Sequence, residues 1–120
     1  MLTFRDDMGG TTQVPEETVA AIVDVGGKTW VYAPGAWTPK AAEGQYGDIL
    51  AQMPGLELAR VFAGHGVAGE GEVIQMPAFD GAAAIRRSAV ARTFTNENGT
   101  GTWVYFRDLP NAVLCVTGEF

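Results

Sequence analysis

Two adjacent glycines between β-rich runs place the strongest constraint on the fold of this chain. Gly26-Gly27 separates the run "VAAIVDV" from the run "KTWVYA". A two-residue type I′ turn needs a positive φ at both central residues, which glycine adopts without strain. The pattern therefore predicts an antiparallel hairpin. Its register, counted outward from the turn, pairs Val25 with Lys28, Asp24 with Thr29, and Val23 with Trp30.

The tetrapeptide Thr-Trp-Val-Tyr occurs twice, at residues 29–32 and 102–105. Successive side chains of a strand point to opposite faces, so each copy places its Trp and Tyr on one face and its Thr and Val on the other. The residues that follow the two copies diverge at once, and no shorter repeat period is visible. We therefore interpret the copies as structural strands beside turns and not as a duplicated functional element.

A second hairpin is predicted near the C-terminus, where "TWVYFR" and "AVLCVTG" flank the turn sequence "DLPN". Both faces of this strand pair are apolar, which is typical of strands that are central or covered on both sides. Closing the four-residue turn between Arg107 and Ala112 predicts the register. Trp103 then lies opposite Val116, Val104 opposite Cys115, and Tyr105 opposite Leu114.

The clearest helical pattern follows the first hairpin. Thr38 is suited to cap a helix, Pro39 to occupy its first position, and Pro54-Gly55 to end it. The sequence therefore predicts one main helix over residues 39–53. Its apolar residues recur at helical spacing and are Ala42, Tyr46, Ile49, Leu50 and Met53.

The central segment contains strand signals and one open alternative. We predict a strand over residues 56–63, a glycine-rich connection over 64–71, and a further strand that turns at Asp80-Gly81 into residues 82–94. Residues 82–94 fit a returning strand, or an alanine-rich helix that Asp80 caps. Pro77 favours an edge position or a bulge, and an exposed edge there leaves homodimerisation by strand addition open.

These elements together predict an α+β fold for residues 1–120 as a single domain. We expect an antiparallel sheet of about six to eight strands, arranged as hairpins and a meander and packed against one main helix. With 47% hydrophobic residues the chain has enough apolar surface for its own core.

The cysteine content and the apolar runs bear on location. Cys115 is the only cysteine, which rules out an intrachain disulfide and favours a reducing compartment. The first residues lack the basic and apolar pattern of a secretory signal, and the apolar runs are too short to cross a bilayer. We therefore expect a cytoplasmic protein that does not associate with membranes.

The charge balance indicates the kind of partner. Fourteen acidic residues against eight basic ones give a net charge of −6. Nucleic-acid binding requires a concentrated basic face, so it is disfavoured. A cationic surface on another protein is the better electrostatic partner.

The segment from Gly64 to Gly69 fits the spacing G-x-G-x-x-G of dinucleotide-binding loops. That motif needs a helix that opens at the last glycines and holds the pyrophosphate at its N-terminus. Glu70 and Glu72 follow instead, and their carboxylates would repel phosphates. We predict an ordinary connection here and no nucleotide cofactor.

His65 and Cys115 are the two residues with catalytic or metal-binding potential. His65 lies near two glutamates, but no second histidine or suitable cysteine completes a set of metal ligands. Cys115 lies within an apolar strand, where a small side chain is suited to packing. The sequence therefore predicts neither a metal site nor a catalytic set.

Three residues are candidates for binding: Trp37 in a Pro/Gly loop, His65 in the glycine-rich segment, and Arg87. Arg87 belongs to a group with Arg86 and Arg92, for which pairing with acidic residues is favoured over a shared anion site.

Two functions fit these observations. The first is a non-catalytic, acidic binding protein that acts as a partner or inhibitor of a larger protein. The alternative is a small-ligand domain or minor enzyme with a pocket between helix and sheet, and with Trp37, His65 or Arg87 at its mouth.

Overall fold

The computed structural model describes residues 1–6, 8–25, 28–34, 40–43, 45–69, 72–74, 81–95, 101–118 and 120. The helix α1 spans Tyr46–Ala51, and single 3₁₀ turns occur at Glu16–Thr18 and Arg87–Ala89. The strands are β1 Leu2–Arg5, β2 Thr11–Val14, β3 Ala21–Val25, β4 Lys28–Tyr32, β5 Lys40–Glu43, β6 Glu57–Gly69, β7 Glu72–Ile74, β8 Gly81–Ile85, β9 Val90–Thr95, β10 Gly101–Phe106 and β11 Leu109–Thr117.

Nine of these strands form one antiparallel sheet in the order β5-β4-β3-β8-β6-β11-β10-β9, with β7 also paired to β6. The long strand β6 pairs with β8 over its first half and with β7 over its second half. The strands β7 and β8 therefore share one position, and the sheet is eight positions wide. The α+β class, with an antiparallel sheet and one helix, is confirmed.

The predicted hairpin around Gly26-Gly27 is confirmed in its register. Val25 lies opposite Lys28, Asp24 opposite Thr29, and Val23 opposite Trp30. The two glycines themselves lie outside the described residues.

The sheet is strongly curled. Tyr32 in β4 and Phe106 in β10 lie five positions apart in the strand order, which would separate them by about 24 Å in a flat sheet. Their ring centroids are instead 5.7 Å apart, in an edge-to-face contact. The concave face encloses the first core. Its buried residues are Ala20, Ala21, Val23, Tyr32, Val61, Ala83, Ile85, Val104, Phe106, Leu109, Leu114 and Val116.

A second core lies on the opposite face of β3 and β4. The β1-β2 hairpin and α1 cover that face, and Ile22 and Val31 of the sheet pack against them. The other buried members are Leu2, Phe4, Val19, Ile49 and Met53. The strands β3 and β4 are therefore apolar on both sides, because each side faces a different core.

Two glutamine side chains satisfy the backbone of β1 on the edge that faces α1. The Gln52 amide accepts a hydrogen bond from the Thr3 N–H at 3.3 Å and donates one to the Thr3 carbonyl at 3.1 Å. The Gln45 amide does the same for Arg5, at 3.1 and 2.9 Å. Because an amide side chain carries a donor and an acceptor like a peptide unit, the two glutamines replace a neighbouring strand.

The predicted helix over residues 39–53 is wrong in its first half. The residues Lys40–Glu43 form β5, which pairs with β4 from Val31 opposite Lys40 to Lys28 opposite Glu43. Pairing with the sheet outweighs the weak helical preference of this glycine-containing segment. The second half is helical as predicted, with Ile49 buried in the second core. Thr38 and Pro39 lie outside the described residues.

The glycine-rich connection predicted over residues 64–71 is also wrong, because β6 continues to Gly69 and β7 returns along it. The strand β8 pairs with β6 on one edge and with β3 on the other, from Gly81 opposite Val61 and Val25 onward. Neither edge of β8 is therefore left for the strand that was predicted to pair with it across Asp80-Gly81. Residues 75–80 themselves lie outside the described residues.

The open alternative for residues 82–94 resolves in favour of strands. The segment forms β8 and β9, and the 3₁₀ turn Arg87–Ala89 separates them. Both strands pair with neighbours in the sheet, β8 with β3 and β6, and β9 with β10.

The C-terminal hairpin forms, but its register differs from the prediction by one residue. The tight turn is at Arg107 and Asp108, where Asp108 adopts a φ of 61°. Next to the turn Phe106 pairs with Leu109, and an irregularity between Tyr105 and Phe106 then shifts the partner on β11 by three residues. The observed register pairs Trp103 with Cys115, Val104 with Leu114, and Tyr105 with Val113. The central position of both strands is confirmed.

The curl predicts a large stability difference between two phenylalanines. Phe106 is 5% exposed and fills the first core, whereas Phe94 is 59% exposed. Phe106→Ala should lower the free energy of unfolding by about 3–5 kcal/mol, because it leaves a cavity at the Tyr32 contact. The matched control Phe94→Ala should change it by less than about 0.5 kcal/mol. Urea unfolding followed by tryptophan fluorescence measures both values, and equal losses would contradict a closed core.

The contacts of Gln45 and Gln52 with β1 predict a second difference in stability between variants. Gln45→Ala and Gln52→Ala should each cost about 0.5–1.5 kcal/mol, because each leaves a peptide unit of β1 without its partner. Gln13→Ala is the control, since Gln13 is exposed on β2. Hydrogen exchange of the Thr3 and Arg5 amides reports the same loss locally. Unchanged protection of both amides in the double variant would rule out the proposed edge role.

Candidate functional site

The strand β9 forms one edge of the main sheet. It pairs with β10 and with no other strand in the described part of the chain. Val90 is half-buried, and the five residues that follow it are exposed. The peptide groups that point to the second edge of β9 therefore have no strand partner within the described residues, and residues 91–95 of this strand are exposed.

Four side chains form a continuous row on the face of β9 and β10 that points away from the first core. Phe94 lies opposite Trp103, and Arg92 lies opposite Tyr105. Both residues of β9 are exposed, and both residues of β10 are half-buried. We call Arg92, Phe94, Trp103 and Tyr105 the aromatic strip.

The aromatic strip is held by contacts on both faces of the strand pair. The Arg92 guanidinium carbon lies 4.3 Å from the centroid of the Tyr105 ring, a cation–π geometry. On the other face, the hydroxyls of Thr95 and Thr102 are 3.0 Å apart, and Thr102 donates a hydrogen bond to the Gly118 carbonyl at 2.6 Å. The first contact orients Arg92 on Tyr105 within the strip, and the hydroxyl contacts tie β9 to β10 and to Gly118 on the opposite face.

The edge of β9 carries few of the features by which proteins block strand addition. Such features are charged side chains, prolines, and short or covered strands. The sequence of β9, "VARTFT", contains one charge, at Arg92, and no proline. At β1, by contrast, the side-chain amides of Gln45 and Gln52 satisfy peptide groups on the edge. The β1 and β9 edges therefore differ in their capacity to accept another strand.

The two Thr-Trp-Val-Tyr segments place their rings on opposite faces of the sheet. Trp30 and Tyr32 face the first core, where Tyr32 is fully buried. In the second copy Val104 faces that core, so Trp103 and Tyr105 lie on the other face. The two copies therefore share strand geometry and differ in environment, as expected for structural strands that are not a duplicated functional element.

The three residues predicted for binding do not form one site among the described residues. Trp37 lies outside them. His65 lies in β6 opposite Leu114 of β11, and its side chain is outside the described part. Arg87 lies in the second 3₁₀ turn. Their assignment to binding stays a prediction.

The three neighbouring arginines are dispersed. Arg87 forms an ion pair with Glu57 at 2.7 Å and stacks over the Phe120 ring at 4.2 Å. Its hydrogen bonds and charge hold the pKa of the Glu57 carboxyl below its usual value. Arg92 stacks on Tyr105, and Arg86 donates to backbone carbonyls.

Cys115 is buried on the strip side of β11, opposite Trp103. Burial raises the pKa of its thiol, which lowers the fraction present as thiolate. Within the described residues, no group of three His, Cys, Asp or Glu side chains is arranged to hold a metal ion.

No protein-family model matches this sequence, and neither a curated protein nor a solved structure matches the chain. A further finding concerns helices: across the described ranges, none combines the length and apolar character needed to traverse a bilayer.

The aromatic strip was missed in the sequence because the pairing of β9 with β10 was not predicted. The signal that could have revealed it is the period-two spacing of Arg92 and Phe94 before the polar sequence "NENGT". The same spacing recurs after that sequence in Trp103 and Tyr105.

The setting of Cys115 predicts low thiol reactivity. The native protein should react with iodoacetamide at least about tenfold more slowly than the urea-unfolded chain, because the thiol is both buried and protonated. Mass spectrometry of time points measures the two rates. Rapid alkylation under native conditions would show that this part of β11 is accessible and would reopen the question of a nucleophilic cysteine.

Proposed function

We propose that this protein is a binding protein whose protein partner adds one of the partner's own strands to the β9 edge. The observation that carries the proposal is the edge of β9, which has no strand partner among the described residues and lies beside the aromatic strip. Peptide hydrogen bonds along such an edge supply affinity, and side chains on the neighbouring face supply specificity.

The composition of the strip supports a protein partner. Tryptophan, tyrosine and arginine are the residues that most often dominate the energy of protein interfaces. In the strip, Trp103 and Tyr105 lie on one face of β10, and the cation–π contact of Arg92 with Tyr105 orders those two side chains before binding. Ordering before binding reduces the conformational entropy lost on association.

The charge distribution favours a partner other than a second copy. The chain carries a net charge of −6, so two copies repel each other at long range, whereas a cationic protein is attracted. The strands β9 and β10 contain Arg92 as their single charged residue. The contacting strand of the partner is therefore largely uncharged, with its positive charge on the surrounding surface.

The test is capture with matched variants. Phe94→Lys places a charge on the strip, and Leu58→Lys places the same charge on another exposed apolar residue, which is 71% exposed on β6. The expected result is a cationic protein that wild type and Leu58→Lys retain and Phe94→Lys loses. With the purified partner, Phe94→Lys should weaken binding by about thirtyfold or more, as hot-spot substitutions do.

Three further measurements decide the proposal. Hydrogen exchange of β9 amides should slow in the complex, and higher salt should weaken binding because steering is electrostatic. Equal binding by Phe94→Lys and wild type, or no protection of β9, would reject this edge as the site. Sedimentation that shows a wild-type dimer and a monomeric Phe94→Lys would assign the edge to a second copy instead.

A further inference from the structure

A second candidate site lies at Arg86, away from the β9 edge. The Arg86 N–H donates to the Ala20 carbonyl at 2.8 Å and continues the pairing of β8 with β3. Its side chain then reaches the first 3₁₀ turn, where Nε donates to the Val19 carbonyl and Nη2 to the Glu16 carbonyl, both at 2.8 Å. These bonds fix the plane of the guanidinium group.

The positive charge of Arg86 pairs with no carboxylate among the described residues. The acceptors of its two side-chain hydrogen bonds are both neutral carbonyls. The adjacent Arg87 shows the contrast, because Glu57 neutralises it at 2.7 Å. A guanidinium carries five N–H donors, so three remain on Arg86 after its two hydrogen bonds. A half-buried, oriented cation with free donors favours an anionic ligand.

The space for such a ligand is present on both sides of Arg86. One cleft of about 280 Å³ lies toward the end of α1 and is lined by Met53 and Pro54. Another, of about 270 Å³, extends toward the β10-β11 turn and is lined by Ser88 and Arg107. The second cleft therefore adds another cation and a hydroxyl to the donors of Arg86.

The other charges in the clefts limit the ligand class. Glu17 lines both clefts, and Asp108 lines the second. These carboxylates repel a multiply charged phosphate more strongly than a singly charged group. The planar fork of a guanidinium matches a carboxylate, which it can bind through two parallel hydrogen bonds. We propose that the second cleft binds the carboxylate of a small organic acid between Arg86 and Arg107.

The experiment uses sodium acetate as the probe, with sodium chloride at matched ionic strength as the reference. In ¹⁵N-labelled full-length protein, acetate should shift the Arg86 Nε–H signal and the Ser88 and Arg107 amides along one saturating curve. Arg107→Gln should weaken acetate binding by about tenfold, through loss of a charge-assisted contact. Arg5→Gln removes an exposed arginine on β1 and should leave the curve unchanged.

Arg86→Lys is the second variant, because it keeps the charge and loses the fork. It should abolish saturation while its thermal transition shows that the fold persists; where it does not fold, the Arg107→Gln comparison decides. Shifts that grow linearly, or equal affinities for wild type and Arg107→Gln, would overturn the site. Tighter binding of inorganic phosphate than of acetate would overturn the carboxylate assignment.

Discussion

The contact between Tyr32 and Phe106 shows the constraint on which the rest of the molecule depends. The rings belong to strands five positions apart, yet their centroids are 5.7 Å apart, because the sheet curls and encloses its own core on the concave face. The opposite face then needs separate covers, which α1 and the β1-β2 hairpin supply over β3 and β4. A short helix suffices because the sheet itself does most of the burying. The curl thus explains both the small helix and the two cores.

The main sheet and the β1-β2 hairpin each have strand edges, and the edges of β1 and β9 differ in how their peptide groups are satisfied. Gln45 and Gln52 satisfy β1 with side-chain amides, whereas β9 keeps an open edge next to aromatic residues. Natural sheets normally block their edges because an unpaired edge accepts strands without selectivity. Retaining such an edge is consistent with use in binding, and the strip beside it would provide the selectivity that peptide hydrogen bonds lack.

Turn and spacing patterns in the sequence predicted much of the fold. The remaining features depend on pairing between strands that are distant in sequence. The register predicted from Gly26-Gly27 agrees with the observed pairing of β3 with β4, because only two residues separate the paired Val25 and Lys28. At Asp108 a positive φ in a residue other than glycine moved the turn and shifted the C-terminal register by one. At residues 40–43 pairing with β4 replaced the expected helix. Such competition between local preference and distant partners is not visible in a short sequence window.

The candidate sites were hard to predict for the same reason, because they are assembled from elements whose pairing the sequence did not reveal. The aromatic strip needs the β9-β10 register, and the Arg86 clefts need elements that lie far apart in sequence. By contrast, the environment of the single cysteine was predictable from its apolar neighbours. Side chains whose role depends on one strand were therefore accessible from sequence, whereas groups assembled from several elements were not.

The central hairpin has a consequence for the order of assembly. Within the described ranges, the β3-β4-β5 and β9-β10-β11 meanders pair between neighbours in sequence, while β8 and β6 supply the hydrogen-bonded links to β3 and β11. The entropy of closing long loops falls on those two links. The meanders can consequently begin to form on their own. We expect the folding rate to depend on how fast β6 and β8 pair with each other and with the two meanders.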